Sequence, residues 1–275
     1  MYYLKKAFAY ANTKFLWLIL LSALPAIGLT CWFSPSRIIW FICNYSQADT
    51  SSFLAIYRQL VWMDYKYSWL MIIAFAVVAV CVSMIVGLVD NHMRTGQFSF
   101  GAELFKSRIN YNIISVFKFL IACFCVFELY LVFAITLIYL FSKLSYGVAL
   151  AFIIICVLVL CAAMASSFAL LLVWLPNMLH TGLSSSSAME LGVRQIAKKF
   201  VDVAVAIVLP AVPMFILMVV NGLVILKIGF LLDCILYLIM VGYFIVLSET
   251  VFFEINGIER ADLEKVDIWK KSFKE

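Results

Sequence analysis

Six long runs of apolar residues constrain this chain more than any other feature of its sequence. A helix needs about 20 mostly apolar residues to cross the hydrocarbon core of a bilayer. The runs are continuously apolar rather than alternating, which excludes transmembrane β-strands. We therefore predict an all-α polytopic membrane protein with six transmembrane helices. The predicted spans cover roughly residues 15–33, 69–89, 113–141, 146–175, 201–226 and 228–253.

The composition excludes a soluble protein of the same length. Hydrophobic residues make up 66% of the 275 residues and charged residues only 13%, whereas a soluble domain has about 45–50% and about 25%. The first apolar run is longer than the 7–15 residues that are typical of a cleaved signal peptide, so we expect it to be retained. Seven of the eight cysteines lie in or beside predicted spans without metal-site spacing, and we interpret them as packing residues.

The lysines and arginines predict how the chain is oriented. Fifteen of the 20 fall on the side that holds the N-terminus, the loop after span two with the start of span three, the loop after span four, and the charged tail at 254–275. Loops rich in Lys and Arg face the cytoplasm, so we expect both termini to be cytoplasmic in the cell membrane. The net charge of +5 then faces anionic headgroups. The charge therefore requires no nucleic-acid partner.

Short amphipathic helices are predicted at the cytoplasmic entries to the odd-numbered spans. Apolar residues recur there with the spacing of one helical stripe, and such helices lie in the membrane interface. The pattern suggests three transmembrane hairpins, each preceded by a surface helix. The stripes are Leu4, Phe8, Ala11 and Phe15; Phe98, Ala102, Phe105 and Ile109; and Met189, Val193, Ile196 and Phe200. The candidate contacts to a cytoplasmic partner are Phe105, Arg108, Arg194 and Lys198.

Two further features qualify this plan. Ser187 and Glu190 have the spacing of a capping box, which predicts that the last surface helix begins at Ser187. Residues 34–68 form the one long external connection and are rich in aromatic residues. Aromatic side chains concentrate at the headgroup level, so we expect this connection to lie on the membrane, with a lid or ligand-binding role as an alternative.

Polar residues within the spans are the candidate functional residues. An ionisable group at this depth is a functional hypothesis by default. Glu128 lies midway along span three, Asp233 lies early in span six, and Asn221 lies late in span five. We expect Glu128 either to serve transport or to pair with a neighbouring helix.

Catalysis finds no support in the sequence. The two histidines, His92 and His180, lie at span ends outside any recognisable motif, and we interpret them as interface residues. The sequence contains no phosphate-binding glycine loop and no nucleophile or metal-ligand motif. We therefore predict a non-enzymatic protein with no cofactor and no metal.

Three stretches carry a family resemblance. They are FLWLILLSALPAIGL (15–29), LVDNHMRTGQFSFGAELFKSRINYN (88–112) and LLLVWLPNMLHTGLSSSSAMELGVRQIAKKF (170–200). Together they resemble the YesL-like predicted membrane proteins of Gram-positive bacteria, and the resemblance covers about a third of the chain. It implies a bacterial protein that is accessory to sugar uptake.

Three functional interpretations remain open. The first is a non-enzymatic membrane protein that assists or regulates a transport or envelope process. The second is a permease, either a small carrier or the membrane subunit of an ATP-driven exporter. The third, a lipid-handling enzyme, ranks last because neither a nucleophile nor a metal site is evident. The expected partners are the lipid bilayer and either another membrane subunit or a cytoplasmic ATPase.

Overall fold

The computed structural model describes residues 2–62, 68–96, 102–224 and 228–263. Within these ranges the ordered elements are helical and no strand occurs. The helices are α1 Tyr2–Thr13, α2 Phe15–Trp32, α3 Pro35–Cys43, α4 Phe53–Leu60, α5 Ser68–Thr95, α6 Ala102–Phe141, α7 Tyr146–Leu171, α8 Trp174–His180, α9 Ser185–Ala197, α10 Phe200–Val208, α11 Val212–Val224 and α12 Gly229–Ile255.

The six membrane-length segments expected from the sequence are confirmed in the described residues. Each is long and apolar enough to cross a bilayer. The shortest uninterrupted helix among the long ones, α2, would span about 27 Å at 1.5 Å per residue. The segments are Phe15–Cys43, Ile72–Thr95, Asn112–Phe141, Tyr146–His180, Phe200–Leu223 and Gly229–Ile255.

Helices α2, α5 and α12 form the centre of the bundle. They share one apolar core, in which Ile85 of α5 and Val246 of α12 are fully buried. Gly242 lets α12 approach α2 closely, because a Cβ there would lie 3.2 Å from Leu18 Cβ and 3.3 Å from Ser22 Oγ. Small residues at such contacts increase the van der Waals contact between helices, on which association in lipid depends.

Helices α6 and α7 lie at the periphery. Half of the most apolar window of the second span is buried inside the protein, against 17% in the third and 11% in the fourth. On α7 the buried residues are Ala149, Ile153 and Ala169. Within these windows most residues of α6 and α7 are therefore not covered by the rest of the described chain.

The two ends of the bundle differ in structure. At one end, here called the terminal end, α1 packs on α12 and α9 packs on α8. At the other, called the loop end, α3 and α4 cover the ends of the spans. Phe41, Ile56 and Leu60 are buried there in a separate core with Ile135 and Ile153. The described part of the aromatic connection, residues 34–62, thus contains two helices that pack on the spans.

The buried faces of α1 and α9 differ from the predicted stripes. Helix α1 buries Tyr3, Ala7 and Tyr10, while Phe8 of the predicted stripe is exposed. Helix α9 buries Ala188, Gly192 and Ile196. The reason is that both helices pack against other helices, so protein contacts rather than lipid select the buried face.

The predicted capping box of α9 is wrong. The N-cap is Ser184, whose Oγ accepts a hydrogen bond from the backbone N–H of Ser187 at 3.4 Å. Glu190 instead accepts a hydrogen bond from Arg194 Nη2 at 2.5 Å. The N-cap lies three residues earlier than expected because the serine run offers several cap residues, and Ser184 is the first of them.

Candidate functional site

A break in the first span organises the polar residues at the loop end. Helix α2 ends at Trp32, and α3 begins at Pro35 after two extended residues. Ser34 caps α3 by accepting a hydrogen bond from the Arg37 N–H at 3.1 Å. Proline suits the first position of a helix because its missing N–H would have no partner there. The break thus places the N-terminus of a second helix inside the protein.

Asp233 of α12 faces this N-terminus and is fully buried. Its Oδ2 accepts hydrogen bonds from Ser34 Oγ at 2.5 Å, Ser36 Oγ at 2.6 Å and Trp62 Nε1 at 3.0 Å. Its Oδ1 accepts one from the Ser36 N–H at 3.0 Å. Four donors from the protein thus converge on one carboxyl group at the N-terminal end of α3. We call Asp233, Ser34, Ser36 and Trp62 the junction cluster.

Arg37 ties the residues after α4 to the junction cluster. Its guanidinium carbon lies 4.2 Å from the centre of the Trp62 ring. Its Nη1 donates to the carbonyl oxygens of Arg58, at 3.0 Å, and Val61. The segment after α4 is therefore held where the Trp62 indole reaches Asp233.

Glu128 lies beside the same break. Its Oε1 accepts a hydrogen bond from Trp32 Nε1 at 2.8 Å, and the side chain is half-buried. Phe33, the next residue along, packs edge-to-face on Phe127 with 4.1 Å between ring centres. Glu128 and Asp233 thus contact nearly adjacent residues, Trp32 and Ser34. The structure brings these two predicted residues to one junction.

Asn221 takes no hydrogen bond within the junction cluster. It lies on α11, is 5% exposed, and its side-chain oxygen has no hydrogen-bond partner among the described residues. The neighbouring Gly222 packs on α3, where its carbonyl oxygen accepts from Asn44 Nδ2 at 3.3 Å.

A second polar cluster lies at the terminal end, and the sequence interpretation missed it. Asp90 of α5, His180 of α8 and Glu249 of α12 bring one ligand atom each within 4.8 Å of one another. Their side chains are 7%, 12% and 1% exposed. Arg94 Nε lies 2.6 Å from Asp90 Oδ1. We call Asp90, His180 and Glu249 the three-helix cluster.

The three-helix cluster has donor atoms that suit a metal ion. One imidazole nitrogen and two carboxylate oxygens are ligands of Zn²⁺ and other first-row transition metals. Local sequence spacing gives no sign of it, because the residues lie far apart in the chain. The signal that was available is topological: the sequence predicts that spans two, four and six end on the same side of the membrane, and each carries one of these residues at that end.

Further charged groups surround this cluster at the terminal end. Tyr10 Oη lies 3.0 Å from His92 Nδ1. Burial raises the pKa of the Tyr10 hydroxyl, and the negative charge of Asp262 raises it further. Arg260 is paired with Asp262 at 2.8 Å and lies over the Tyr10 ring.

The contact between α1 and the end of α12 is polar. Glu254 accepts hydrogen bonds from Lys6 Nζ and from Tyr2 Oη, the latter at 3.0 Å. Burial lowers the pKa of Lys6, but the hydrogen bonds with Glu254 and Tyr2 outweigh it and the pKa is raised overall. The first helix is thus bound to the last through a charged pair.

The predicted partner contacts fall into two groups. Arg194 and Lys198 lie on the exposed face of α9, where Arg194 pairs with Glu190 and its side chain is 76% exposed. The side chains of Phe105 and Arg108 lie outside the described part of the chain. The exposed basic face of α9 is therefore the described portion of this predicted surface.

The comparisons with known proteins add no relative. None of the protein-family models, the curated proteins or the solved structures compared with the chain matches it.

Proposed function

We propose that this chain is a non-enzymatic integral protein of the bacterial cell membrane that assists or regulates a transport or envelope process. The observation that carries the proposal is the set of hydrogen bonds that Asp233 accepts. Its four hydrogen bonds all come from the protein and hold α3 and the residue Trp62 onto α12. A carboxylate satisfied in this way stabilises the fold, whereas a transport site must exchange its partners during each cycle.

The other buried polar side chains of the central bundle are used in the same way. Tyr243 Oη donates to the Ala206 carbonyl at 2.8 Å, and Ser248 Oγ donates to the Leu172 carbonyl at 2.6 Å. Hydrogen bonds between helices hold membrane bundles together. The exposed apolar surface of α6 and α7 then offers a second membrane protein a face to pack on.

The accessory role is tested by deletion and by co-purification. We expect deletion to reduce the activity of a neighbouring transporter. The tagged protein should retain a membrane subunit in mild detergent. Substitution of exposed α7 residues, such as Leu158→Trp, should release that subunit, while Leu16→Trp on the exposed face of α2 serves as the matched control. A normal transporter in the deletion strain, together with no retained subunit, would contradict the proposal.

A permease is the second candidate, and Glu128 favours it. Its carboxylate accepts a hydrogen bond from the Trp32 indole and remains half-buried beside the broken span. Broken helices and intramembrane carboxylates occur at the substrate sites of transporters. Loss of substrate flux in Glu128→Gln, with normal amounts of protein in the membrane, would select a carrier. Co-purification with a cytoplasmic ATPase would select an exporter subunit.

We also propose cytoplasmic termini and three hairpins with interfacial helices at their entries. The basic residues of the terminal segments support this orientation, and so does the contact of Lys6 with Glu254 at one end of the bundle. The resemblance to YesL-like proteins adds sugar uptake as the process to examine first. Labelling single cysteines placed at residues 2 and 262 tests the orientation. Modification of either one by an impermeant reagent in intact cells would refute it.

A further inference from the structure

We propose that Asp90, His180 and Glu249 bind one divalent transition-metal ion, such as Zn²⁺, and that this ion joins spans two, four and six at the terminal end. The proposal concerns a site that the accessory function does not require. It rests on the distances, burial and charge of the three side chains.

The distances fit metal ligands better than a histidine–carboxylate hydrogen bond. His180 Nε2 lies 3.5 Å from Asp90 Oδ1 and 3.3 Å from Glu249 Oε2. A charge-assisted N–H···O bond is usually about 2.7–2.9 Å long. Ligand atoms about 2.1 Å from a tetrahedral metal lie about 3.4 Å from each other. The two separations therefore match the edges of a coordination polyhedron.

Charge supports the same conclusion. Asp90 and Glu249 bring two carboxylates into a buried site, and a buried charge requires a partner. Arg94 contacts Asp90 at 2.6 Å with a side chain that is 38% exposed. Glu249 is 1% exposed, and its Oε2 lies 3.3 Å from His180 Nε2. A divalent cation between the two carboxylates and the imidazole nitrogen would give both acidic groups a common partner.

Neighbouring side chains restrict the orientations of His180 and Asp90. The His180 ring packs on Phe252 with 4.9 Å between ring centres, which restricts its rotation. Arg94 holds the Asp90 carboxylate in the way that outer groups orient the ligands of metal sites. The mixed nitrogen and oxygen donors favour Zn²⁺, Mn²⁺ or Fe²⁺ over Ca²⁺ and Mg²⁺, which prefer oxygen alone.

The position of the ion determines which helices it would hold together. Each ligand comes from a different helix, namely α5, α8 and α12. Helix α8 continues through residues 181–184 into α9, whose Gln195 also contacts Asn256 after the end of α12. An ion that holds α8 onto α12 therefore also fixes where α9 lies at the membrane surface.

The experiment uses the full-length protein in detergent, stripped with a chelator and then titrated with Zn²⁺. We expect about one tightly bound ion per chain and a higher Tm in its presence. X-ray absorption at the zinc edge should show a shell of nitrogen and oxygen with an imidazole contribution. A shell that contains sulfur would assign the ion to cysteines and overturn the proposal.

Variants separate this site from adventitious binding. Glu249→Gln and His180→Gln should each weaken Zn²⁺ binding at least about 100-fold, since they remove ligands, and Arg94→Gln should weaken it about 10-fold. His92→Gln, the other histidine at this end, is the matched control and should bind normally. Gel filtration and circular dichroism of the stripped proteins establish that each variant is folded.

Three results would overturn the proposal. The first is that the stripped wild-type chain takes up no Zn²⁺. The second is that all the variants bind Zn²⁺ as the wild type does. The third is that His92→Gln loses the ion while Glu249→Gln keeps it. If the ligand variants do not fold, the sulfur-free shell and the Tm increase of the wild type decide the question on their own. Absence of either in that case would refute the site.

Discussion

Replacement of Asp233 by asparagine is the sharpest test of the junction cluster. The substitution keeps the shape of the side chain but replaces one acceptor oxygen with an N–H₂ donor. In one orientation the new donor faces the Ser36 N–H, and in the other it faces the Trp62 indole N–H. Neither group can accept a hydrogen bond. The serine hydroxyls can rotate to accept, so one N–H is left without a partner.

The expected cost follows from those contacts. A buried donor left unsatisfied costs about 1–3 kcal/mol. Removal of the negative charge from the N-terminus of α3 adds about 0.3–1 kcal/mol, and up to about 2 kcal/mol in a partly buried geometry. We therefore expect Asp233→Asn to lower the free energy of unfolding by about 3 kcal/mol.

The measurement is an SDS-induced unfolding titration in mixed micelles. The fold should also loosen locally, so trypsin should cleave after Arg58 faster than in the wild type. The control is Glu190→Gln, which breaks the exposed pair with Arg194 and should cost at most about 0.5 kcal/mol. A loss for Asp233→Asn as small as that of the control would show that the cluster contributes no stability and that our account of α3 is wrong.

Three further perturbations test other contacts. Gly242→Ala should destabilise the bundle by about 1–3 kcal/mol in the same titration, because the added Cβ overpacks the contact between α2 and α12. Gly147→Ala is the control and should not destabilise the bundle, because a Cβ added there meets open space. Ser184→Ala should cost about 1 kcal/mol and lower the helix content of α9, while Ser187→Ala should cost much less if the cap is placed correctly. Lys6→Gln should cost about 0.5 kcal/mol at pH 8, since the pair is partly exposed. Because the folded pKa of Lys6 is raised, its contribution is fully present below the unfolded pKa of about 10.5 and is lost as pH rises above that value. An unchanged difference between Lys6→Gln and wild type at about pH 12 would contradict that assignment.

The spans could be predicted from the sequence because lipid imposes a strong and local requirement. A helix that satisfies its own backbone in hydrocarbon needs a continuous apolar run. The expected span at 15–33 corresponds to α2, Phe15–Trp32, and that at 228–253 to α12, Gly229–Ile255. Each of these assignments depends only on residues within one segment.

The sites could be predicted only in part. Asp233 and Glu128 stand out because each is a charge within an apolar run. Their meeting at Trp32 and Ser34 depends on how α6 and α12 pack against α2, which no local pattern records. His180 was misread for the same reason: at the end of its span it resembles an interface residue, and only the approach of α5 and α12 buries it with two carboxylates.

The packing of α2 against α12 sets the order in which the bundle can be completed. The first long helix to enter the membrane meets its main neighbour only after some 200 further residues have been synthesised. Until then α5 is the main long helix that α2 can pack on, and the N-terminus of α3 lacks its carboxylate. Assembly of this protein is therefore completed by its last helix. A chain arrested before residue 229 would leave the α12-facing side of α2 uncovered within the membrane, and quality-control proteases can recognise such an exposed face.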